Sequence, residues 1–298
     1  MKKLWRIVLL VFLLALGLWL TMQMINKVPD DKLAEPKIDL YLHQKNHIIT
    51  MDLEDYIVGT VAAEMPASFA MEALRAQAVC ARTYALKRMI EKHPYPLGAD
   101  LSDDINSCQA FREVQSQNKM GQQNLKKIME AVNSTRGEIL LYNSEPIDAL
   151  YHSTCGGRTE GIESIAYLRS VKCKYCRDSP YYKKTCTVGN ENVNRVVGDL
   201  GYKMNIKVVT QTPSGRANEL SINGKKVYAA RLRKELNLPS QWLELSIGDR
   251  QTRITTHGYG HGIGLCQYGA NGLAKSGKNY QQILKYYYND VEIYKIPY

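Results

Sequence analysis

The strongest constraint on this chain lies at its start, where Lys2, Lys3 and Arg6 precede an almost unbroken apolar run from Ile7 to Met22. With its flanks the run is long enough to cross a bilayer, whose core asks for roughly 20 apolar residues in a helix. Positive charge placed ahead of it holds the N-terminus in the cytoplasm and sends everything downstream outside. A cleaved signal peptide shares the basic start and the apolar run, but Thr21-Met22-Gln23-Met24 offers no small-x-small cleavage pattern. The expectation is an uncleaved single-pass anchor in the cell membrane over residues 1–25, a tether over 26–36 and an extracytoplasmic region over 37–298.

The 298 residues suffice for a sizeable core. Three of the basic residues precede the apolar run, so a net charge of +10 leaves +7 on the remainder. Such an excess gathers anionic partners, whether nucleic acid, lipid headgroups or wall polymers, or simply keeps the protein soluble. No arginine-rich run, zinc-finger spacing or aromatic RNA-binding signature is present, which argues against nucleic acid. Twenty tyrosines stand against three phenylalanines. Rings that carry a hydroxyl suit clefts that meet sugars or peptides.

Hydropathy patterning predicts a mixed fold. Ile38, Leu40 and Leu42 alternate with polar neighbours as in a half-buried strand, and a turn at Gln44-Lys45-Asn46 leads to a second strand over 47–51. Asp52 reads as the N-cap of a helix that Pro66 ends, and Ser68 as the cap of a longer helix from Ala70 to about Glu91. Small residues Ala73, Ala76, Ala78 and Ala81 on that helix would admit a close neighbour. A helix over 125–133, a strand-turn-strand over 139–151 and a cysteine-bearing loop region over 153–188 follow. Asn223-Gly224 centres a hairpin with the preferred two-residue turn. A short helix over 229–236, a strand near Arg253, a glycine-rich loop, two helices and a strand over 291–296 complete the chain. The expected class is α+β: a single transmembrane helix, then a catalytic region of helices and strands with hairpins and long loops.

Glu64 is the first residue with chemical promise. It stands in Val61-Ala62-Ala63-Glu64-Met65-Pro66 at the C-terminal end of a predicted helix. The negative end of the helix dipole and apolar neighbours both disfavour its ionised form, as a general acid near neutral pH requires. The sequence context alone also fits an ordinary solvated carboxylate at a helix end. Asp55 and Glu72 are helper candidates or simply capping and surface charges. Arg75 and Arg82, seven apart on the long helix, could clamp a carboxylate or form a solvated basic stripe. Gln77 and Tyr84 share a face and could bond sugar hydroxyls or pack. His257 and His261 are four apart, as metal ligands on a helix would be, but Gly258, Gly260, Gly262 and Gly264 argue against a helix and no glutamate follows the first histidine. The loop would instead let backbone approach a ligand, with His261, Gln267 and Tyr268 as hydrogen-bonding groups, or be purely structural.

There are seven cysteines. Cys80 falls within the long helix as a packed side chain. Cys173 and Cys176 form a CxxC pair flanked by Cys155 and Cys186, and these four could bind a structural zinc ion or form disulfides.

The segments Glu54-Asp55-Tyr56-Ile57-Val58-Gly59, Ala63-Glu64-Met65-Pro66, Glu72-Ala73-Leu74-Arg75-Ala76-Gln77-Ala78 and Ala81-Arg82-Thr83-Tyr84 resemble the stage II sporulation protein D family. So do Tyr151-His152-Ser153-Thr154-Cys155-Gly156-Gly157-Arg158-Thr159-Glu160 and Gly260-His261-Gly262-Ile263-Gly264-Leu265-Cys266-Gln267-Tyr268-Gly269-Ala270, in family order. The resemblance implies a peptidoglycan lytic transglycosylase of engulfment during sporulation, with Glu64 catalytic. Its substrate would be glycan already stripped of stem peptides. Its partners would be a sporulation amidase and a membrane anchor protein of the engulfment complex, on the mother-cell engulfing membrane. Arg75 and Arg82 would then hold the lactyl carboxylate of muramic acid. The same resemblance leaves a second reading, a non-catalytic module that recruits or enhances a cell-wall amidase. The chemistry needs no cofactor. Some clostridial relatives bind zinc through a His/Cys cluster ahead of their Cys-Gln-Ala segment. Here Cys108-Gln109-Ala110 remains, but Ser102 and Ser107 precede it.

Overall fold

A computed structural model describes residues 34–114 and 119–298. The expected anchor lies outside the described residues. Among those described, no helix is long and apolar enough to cross a membrane. Residues 35–296 form one unit that contains every element below.

The first strands are β1 (Lys37–Leu42) and β2 (His47–Asp52), antiparallel with Leu40 opposite Ile49; β3 (Leu101–Ser102) joins β1 in parallel. Helix α1 (Leu53–Glu64) follows without a loop. Asp52 does occupy its N-cap position, but the side chain makes no capping bond. It reaches instead across the sheet to Lys37, with Nζ 3.3 Å from Oδ1. Helix α2 (Met71–Glu91) is capped at Ala70 rather than at the expected Ser68. Ala70 is extended, and its N–H donates to Asn271 Oδ1 at 2.9 Å, a partner two hundred residues away that the local sequence does not reveal.

Helix α2 is the centre of the molecule. Ala73, Ala76, Ala78, Ala81 and Ala85 are all fully buried, and with so little side chain they let four helices and a strand crowd around one axis. Packed against it are α1, α3 (Lys119–Ser134), β4 (Glu138–Tyr142) and the two C-terminal helices. Helix α3 is longer than the 125–133 expected from the sequence, and buries Ile128, Ala131 and Val132. Strand β4 pairs with β5 (Glu145–Pro146) in a tight hairpin, and β6 (Tyr151–His152) follows.

The middle of the chain builds a second hydrophobic cluster. It lies around β7 (Lys184–Gly189), α4 (Asn190–Arg195), β8 (Ile206–Gln211), β9 (Ala217–Ile222), β10 (Lys225–Tyr228), α5 (Ala229–Glu235), β11 (Leu243–Ile247) and β12 (Gln251–Thr256). The strands make two sheets, ordered β10-β9-β8 and β11-β12-β7, with Val193, Leu220, Ile222, Leu232 and Ile254 among the residues buried there. Asn223 and Gly224 both have positive φ (49° and 83°), as the expected hairpin turn requires. Strand β7 occupies the end of what the sequence suggests is irregular loop.

The glycine-rich segment then returns the chain to α2. Gly264 has φ 70°, and a Cβ there would fall 2.0 Å from the Leu150 carbonyl oxygen, so only glycine fits. That close approach sets β13 (Leu265–Cys266) parallel to β6, with Leu265 opposite Tyr151 and Cys266 opposite His152. Helices α6 (Gln267–Lys275) and α7 (Tyr280–Tyr287) follow, and β14 (Glu292–Lys295) closes the sheet on β4.

Gly59 on α1 offers a test of this packing. In an ordinary helix interior Gly→Ala stabilises by about 1 kcal/mol. Here the added Cβ would stand 2.3 Å from the Phe111 ring and 2.8 Å from the Arg112 carbonyl oxygen. Gly59→Ala is therefore expected to lower stability by about 1–3 kcal/mol, as overpacking does. Urea denaturation reads the sign directly.

Candidate active site

Helix α1 ends at Glu64 because Met65 turns extended (φ −129°, ψ 132°) and Pro66 follows. The end of α1, the 112–114 segment and one face of α3 line a cleft of about 630 Å³, and Glu64 is among its walls. The carboxylate is half-buried. Its Oε1 accepts the Ala110 N–H at 2.8 Å, and Oε2 lies 3.5 Å from Gln267 Nε2. Desolvation pushes the Glu64 carboxyl above its ordinary pKa; the Ala110 amide, Gln267 and the Tyr151 hydroxyl oppose that shift only in part. Burial, more than the helix end, is the main cause.

The amide that meets Glu64 is held by a chain of neutral groups. Gln109 Nε2 donates to the Tyr56 hydroxyl at 3.0 Å and to the Ala81 carbonyl at 3.2 Å, while its Oε1 accepts from the Tyr151 hydroxyl at 2.8 Å. Phe111 stacks on Tyr56 with centroids 5.6 Å apart, over the bare backbone of Gly59. Arg112 Nη2 donates to the Ala62 carbonyl at 2.6 Å, placing a positive group at the negative end of α1. Segment 109–112 is thereby pinned along the helix that carries Glu64. Tyr151 is half-buried, and its hydroxyl is pushed well above the usual phenol range by desolvation and then by the Glu64 charge, so it stays protonated.

The structure brings some of the expected site residues to Glu64 and sends others elsewhere. Gln267, at the start of α6, contacts both Glu64 and Gln77, with Nε2 3.3 Å from Gln77 Oε1. Gln77 is fully buried, and its own amide nitrogen meets no acceptor among the described residues. Tyr268 packs edge-on against Phe69, centroids 5.0 Å apart. His261 lies one layer back: Nε2 donates to the Tyr151 carbonyl at 2.9 Å and Nδ1 accepts from Ile263 N at 3.1 Å, which assigns the proton to Nε2. Tyr84 sits under the Arg88 guanidinium, 4.8 Å from ring centroid to Cζ, away from the carboxylate.

The two arginines require correction, and the two acids take the plainer of their two readings. Arg82 is fully buried and donates to both oxygens of Glu54, Nε to Oε1 at 2.8 Å and Nη2 to Oε2 at 2.6 Å, with Nη1 on the Glu138 carbonyl at 3.0 Å. It holds the fold together and has no donor facing the cleft. Arg75 pairs with Glu72 and reaches Ser134 Oγ at 3.0 Å on the side of α2 that meets α3, and Glu72 in turn accepts the Tyr280 N–H at 2.8 Å. Asp55 is exposed nine residues before Glu64, about 13 Å along the helix. His257 pairs with Glu244, Nε2 2.6 Å from Oε1.

The cysteines also regroup. Cys155, Cys173, Cys176 and Cys266 are fully buried and their sulfurs all lie within 4.8 Å of one another. Cys186, expected as the fourth member, is in β7 opposite Ile254 and packs against the second hydrophobic cluster. Parallel pairing of β13 with β6 puts Cys266 in its place. Ahead of Cys108, Ser102 Oγ accepts the Asp104 N–H at 3.1 Å, and Ser107 donates to the Asp104 carbonyl at 3.3 Å.

Residues that sequence reasoning did not single out matter as much: the Ala110 amide, Gln109 and Tyr151 build the surroundings of Glu64. The motifs around Cys108 and Tyr151 were the available signal, without any hint of which atom would point at the carboxylate.

Glu64 is a half-buried carboxyl group whose ionisation burial disfavours, in the wall of a cleft, and a general acid would need such surroundings. Comparison with known proteins gives the family. Residues 41–142 match the profile of the family described as Stage II sporulation protein. The chain is 37% identical over 275 residues to Stage II sporulation protein D of Bacillus subtilis (strain 168), covering 88% of this chain and 80% of that protein. It is 36% identical over 287 residues to Stage II sporulation protein D of Bacillus amyloliquefaciens, covering 90% and 83%. A more distant likeness, 26% over 291 residues, is to the Amidase enhancer of Bacillus subtilis (strain 168), covering 77% of this chain and 39% of that protein. The chain belongs to the stage II sporulation protein D family.

Proposed function

We propose that this sporulation protein is a lytic transglycosylase acting on peptidoglycan stripped of its stem peptides, with Glu64 as acid and then base. The observation that carries this reading is the carboxyl group of Glu64, raised in pKa by burial and standing in the wall of a cleft of about 630 Å³. Breaking the β-1,4 bond between N-acetylmuramic acid and N-acetylglucosamine passes through an oxocarbenium-like state, and the departing oxygen needs a proton. Glu64 donates it. The carboxylate so formed removes the proton of the same muramic residue's 6-hydroxyl, whose oxygen attacks C1 and closes a 1,6-anhydro ring. The Ala110 amide and Gln267 stabilise the charged form between the two steps. An N-terminal anchor would hold the region against the wall from the mother-cell engulfing membrane.

One alternative has an observation of its own: the likeness to the Amidase enhancer supports a module that recruits or stimulates an amidase without cutting glycan. Denuded glycan incubated with the purified protein, followed by product mass, separates the two. Anhydro-muramic ends support the enzyme; acceleration of an amidase with intact glycan supports the module.

Glu113 sharpens the chemistry. It also lines the cleft, exposed, 3.6 Å from Lys45 in an ion pair. A hydrolase would need a second carboxylate to activate water or act as nucleophile. With an internal nucleophile no such group is required, so Glu113→Gln is expected to keep wild-type turnover within about threefold and still yield anhydro ends. Loss of activity, or reducing ends from the wild type, would indicate the two-carboxylate route.

A further inference from the structure

We propose that Cys155, Cys173, Cys176 and Cys266 together bind one zinc ion, in a closed structural site that fixes the helix bearing Gln267. The inference does not depend on whether Glu64 cleaves glycan.

Three observations converge on it. The first is the grouping itself. The four sulfurs come from three separate segments and form a single cluster rather than two separated pairs. A tetrahedron of Zn–S bonds of about 2.3 Å places sulfurs about 3.8 Å apart. Cys155 Sγ and Cys176 Sγ are 3.4 Å apart, beyond bonding distance and near such an edge. Cys173 and Cys176 supply the CxxC half of a zinc knuckle, and no S–S bond joins any of the seven cysteines.

The second is what surrounds the sulfurs. Cys266 Sγ accepts two backbone N–H groups, from Cys155 at 3.2 Å and Gly269 at 3.3 Å. The Tyr287 hydroxyl lies 3.2 Å from Cys173 Sγ. Arg216 Nη2 donates to the Cys155 carbonyl at 3.0 Å. A neutral thiol is a poor acceptor, and two amides aimed at one sulfur suit an anionic thiolate. Four thiolates around Zn²⁺ keep a net charge of about −2, which such donors and a nearby guanidinium disperse.

The third is the space. A Cβ on Gly269 would stand 2.1 Å from the Tyr287 hydroxyl, 2.7 Å from Cys173 Sγ and 3.2 Å from Cys266 Sγ, so the bare first turn of α6 makes room for the sulfurs and for the hydroxyl beside them. All four cysteines have no solvent-exposed surface, which leaves no open coordination position for a water. That is the pattern of structural rather than catalytic zinc.

The consequence for the cleft is direct. Cys266 immediately precedes Gln267, whose amide touches Glu64 and Gln77. An ion gripping Cys266 therefore fixes where that amide points.

The full-length chain, purified anaerobically without chelator, is expected to carry one zinc per molecule by elemental analysis and native mass. Cobalt substitution should give intense sulfur-to-cobalt charge-transfer bands and the visible absorption of a tetrahedral site. Cys155→Ser and Cys176→Ser should cut metal content to below about a tenth of wild type, while Cys186→Ser retains it. Two disulfides, seen as a mass four hydrogens lower with no metal, would overturn the proposal. So would four free thiols in wild type that take up no cobalt, a result that stands even if the serine variants fail to fold. Zinc retained in the Cys155 and Cys176 variants would overturn it as well.

Discussion

Glu64→Gln is expected to abolish glycan cleavage while leaving the protein folded. General acid–base groups contribute on the order of 10²–10⁴-fold each, and in the proposed reaction one side chain serves in both directions, so the loss should reach the upper end of that range. The glutamine Oε1 can still accept the Ala110 N–H, which keeps the 109–112 segment in place. Released anhydro-muramic ends, quantified by mass, measure the effect. The pH dependence carries the same signature. Activity requires the protonated carboxyl, so kcat/KM should fall as pH rises through a pKa that burial has moved above the ordinary glutamate value. Gln267 favours the charged form; replacing it by leucine should shift that alkaline limb to still higher pH. Stability follows with a definite sign. A group whose folded pKa is raised contributes stability in full below its unfolded pKa, about 4.3 for glutamate, and loses it as pH climbs through the folded value. Glu64→Gln should therefore match or exceed the wild-type Tm at neutral pH, with the gap closing below about pH 4. A variant that melts early at pH 7 would mean that Glu64 serves the fold rather than the chemistry.

Much of the scaffold around this residue is legible in the sequence. Alternating Ile38, Leu40 and Leu42 gave the first strand, Pro66 the end of α1, and Asn223-Gly224 the hairpin, because each of these is decided by neighbours along the chain. The alanines of α2 told that something would come close, and the structure surrounds that helix with α1, α3, α6, α7 and β4. Strands β8 and β11 were not read. Each lies at one edge of its sheet and buries a single residue, Ile206 or Leu243, and the solvent side carries Lys207 and Glu244, so neither shows a clean hydrophobic alternation. The cap of α2 escaped for a different reason. Its backbone partner, Asn271, belongs to the far end of the chain.

The site divides along the same line. Glu64 was marked by its motif and its helix end. The groups that set its surroundings were not: a backbone amide at Ala110 has no sequence signature, and Tyr151 comes to the carboxylate from β6, far along the chain from α1. The cysteines make the point most sharply. Cys186 is ten residues from Cys176 and Cys266 is ninety away, yet the nearer one joins a different sheet and the farther one completes the quartet. Helical spacing misled in the case of the arginines. Arg75 and Arg82 do share a side of α2, but spacing reports a common face and says nothing about whether that face meets solvent, substrate or core. Here it meets α3 and β4.

Arg82→Ala should therefore cost stability, not substrate affinity. The guanidinium is fully buried and Glu54 is 4% exposed. Their double hydrogen bond joins α1 to α2, the Val132 and Glu138 carbonyls extend it to α3 and β4, and the Gly137 N–H reaches Glu54 Oε1 at 3.2 Å. Removing one member of a buried pair leaves the other charge in a poor solvent, at a cost of about 3–5 kcal/mol. A domain has only about 5–15 kcal/mol in hand, so the variant should lose a large part of its unfolding free energy in urea and much of its soluble yield. The paired replacement Arg82→Met with Glu54→Leu tests the cause. Apolar side chains of similar volume pack in the same space without a stranded charge, and should recover most of the loss, as replacement of buried ion pairs often does. Had Arg82 instead clamped the lactyl carboxylate of muramic acid, Arg82→Ala would fold with an unchanged Tm and show a raised KM. The double replacement would then rescue nothing. The geometry at Glu54 gives the first result.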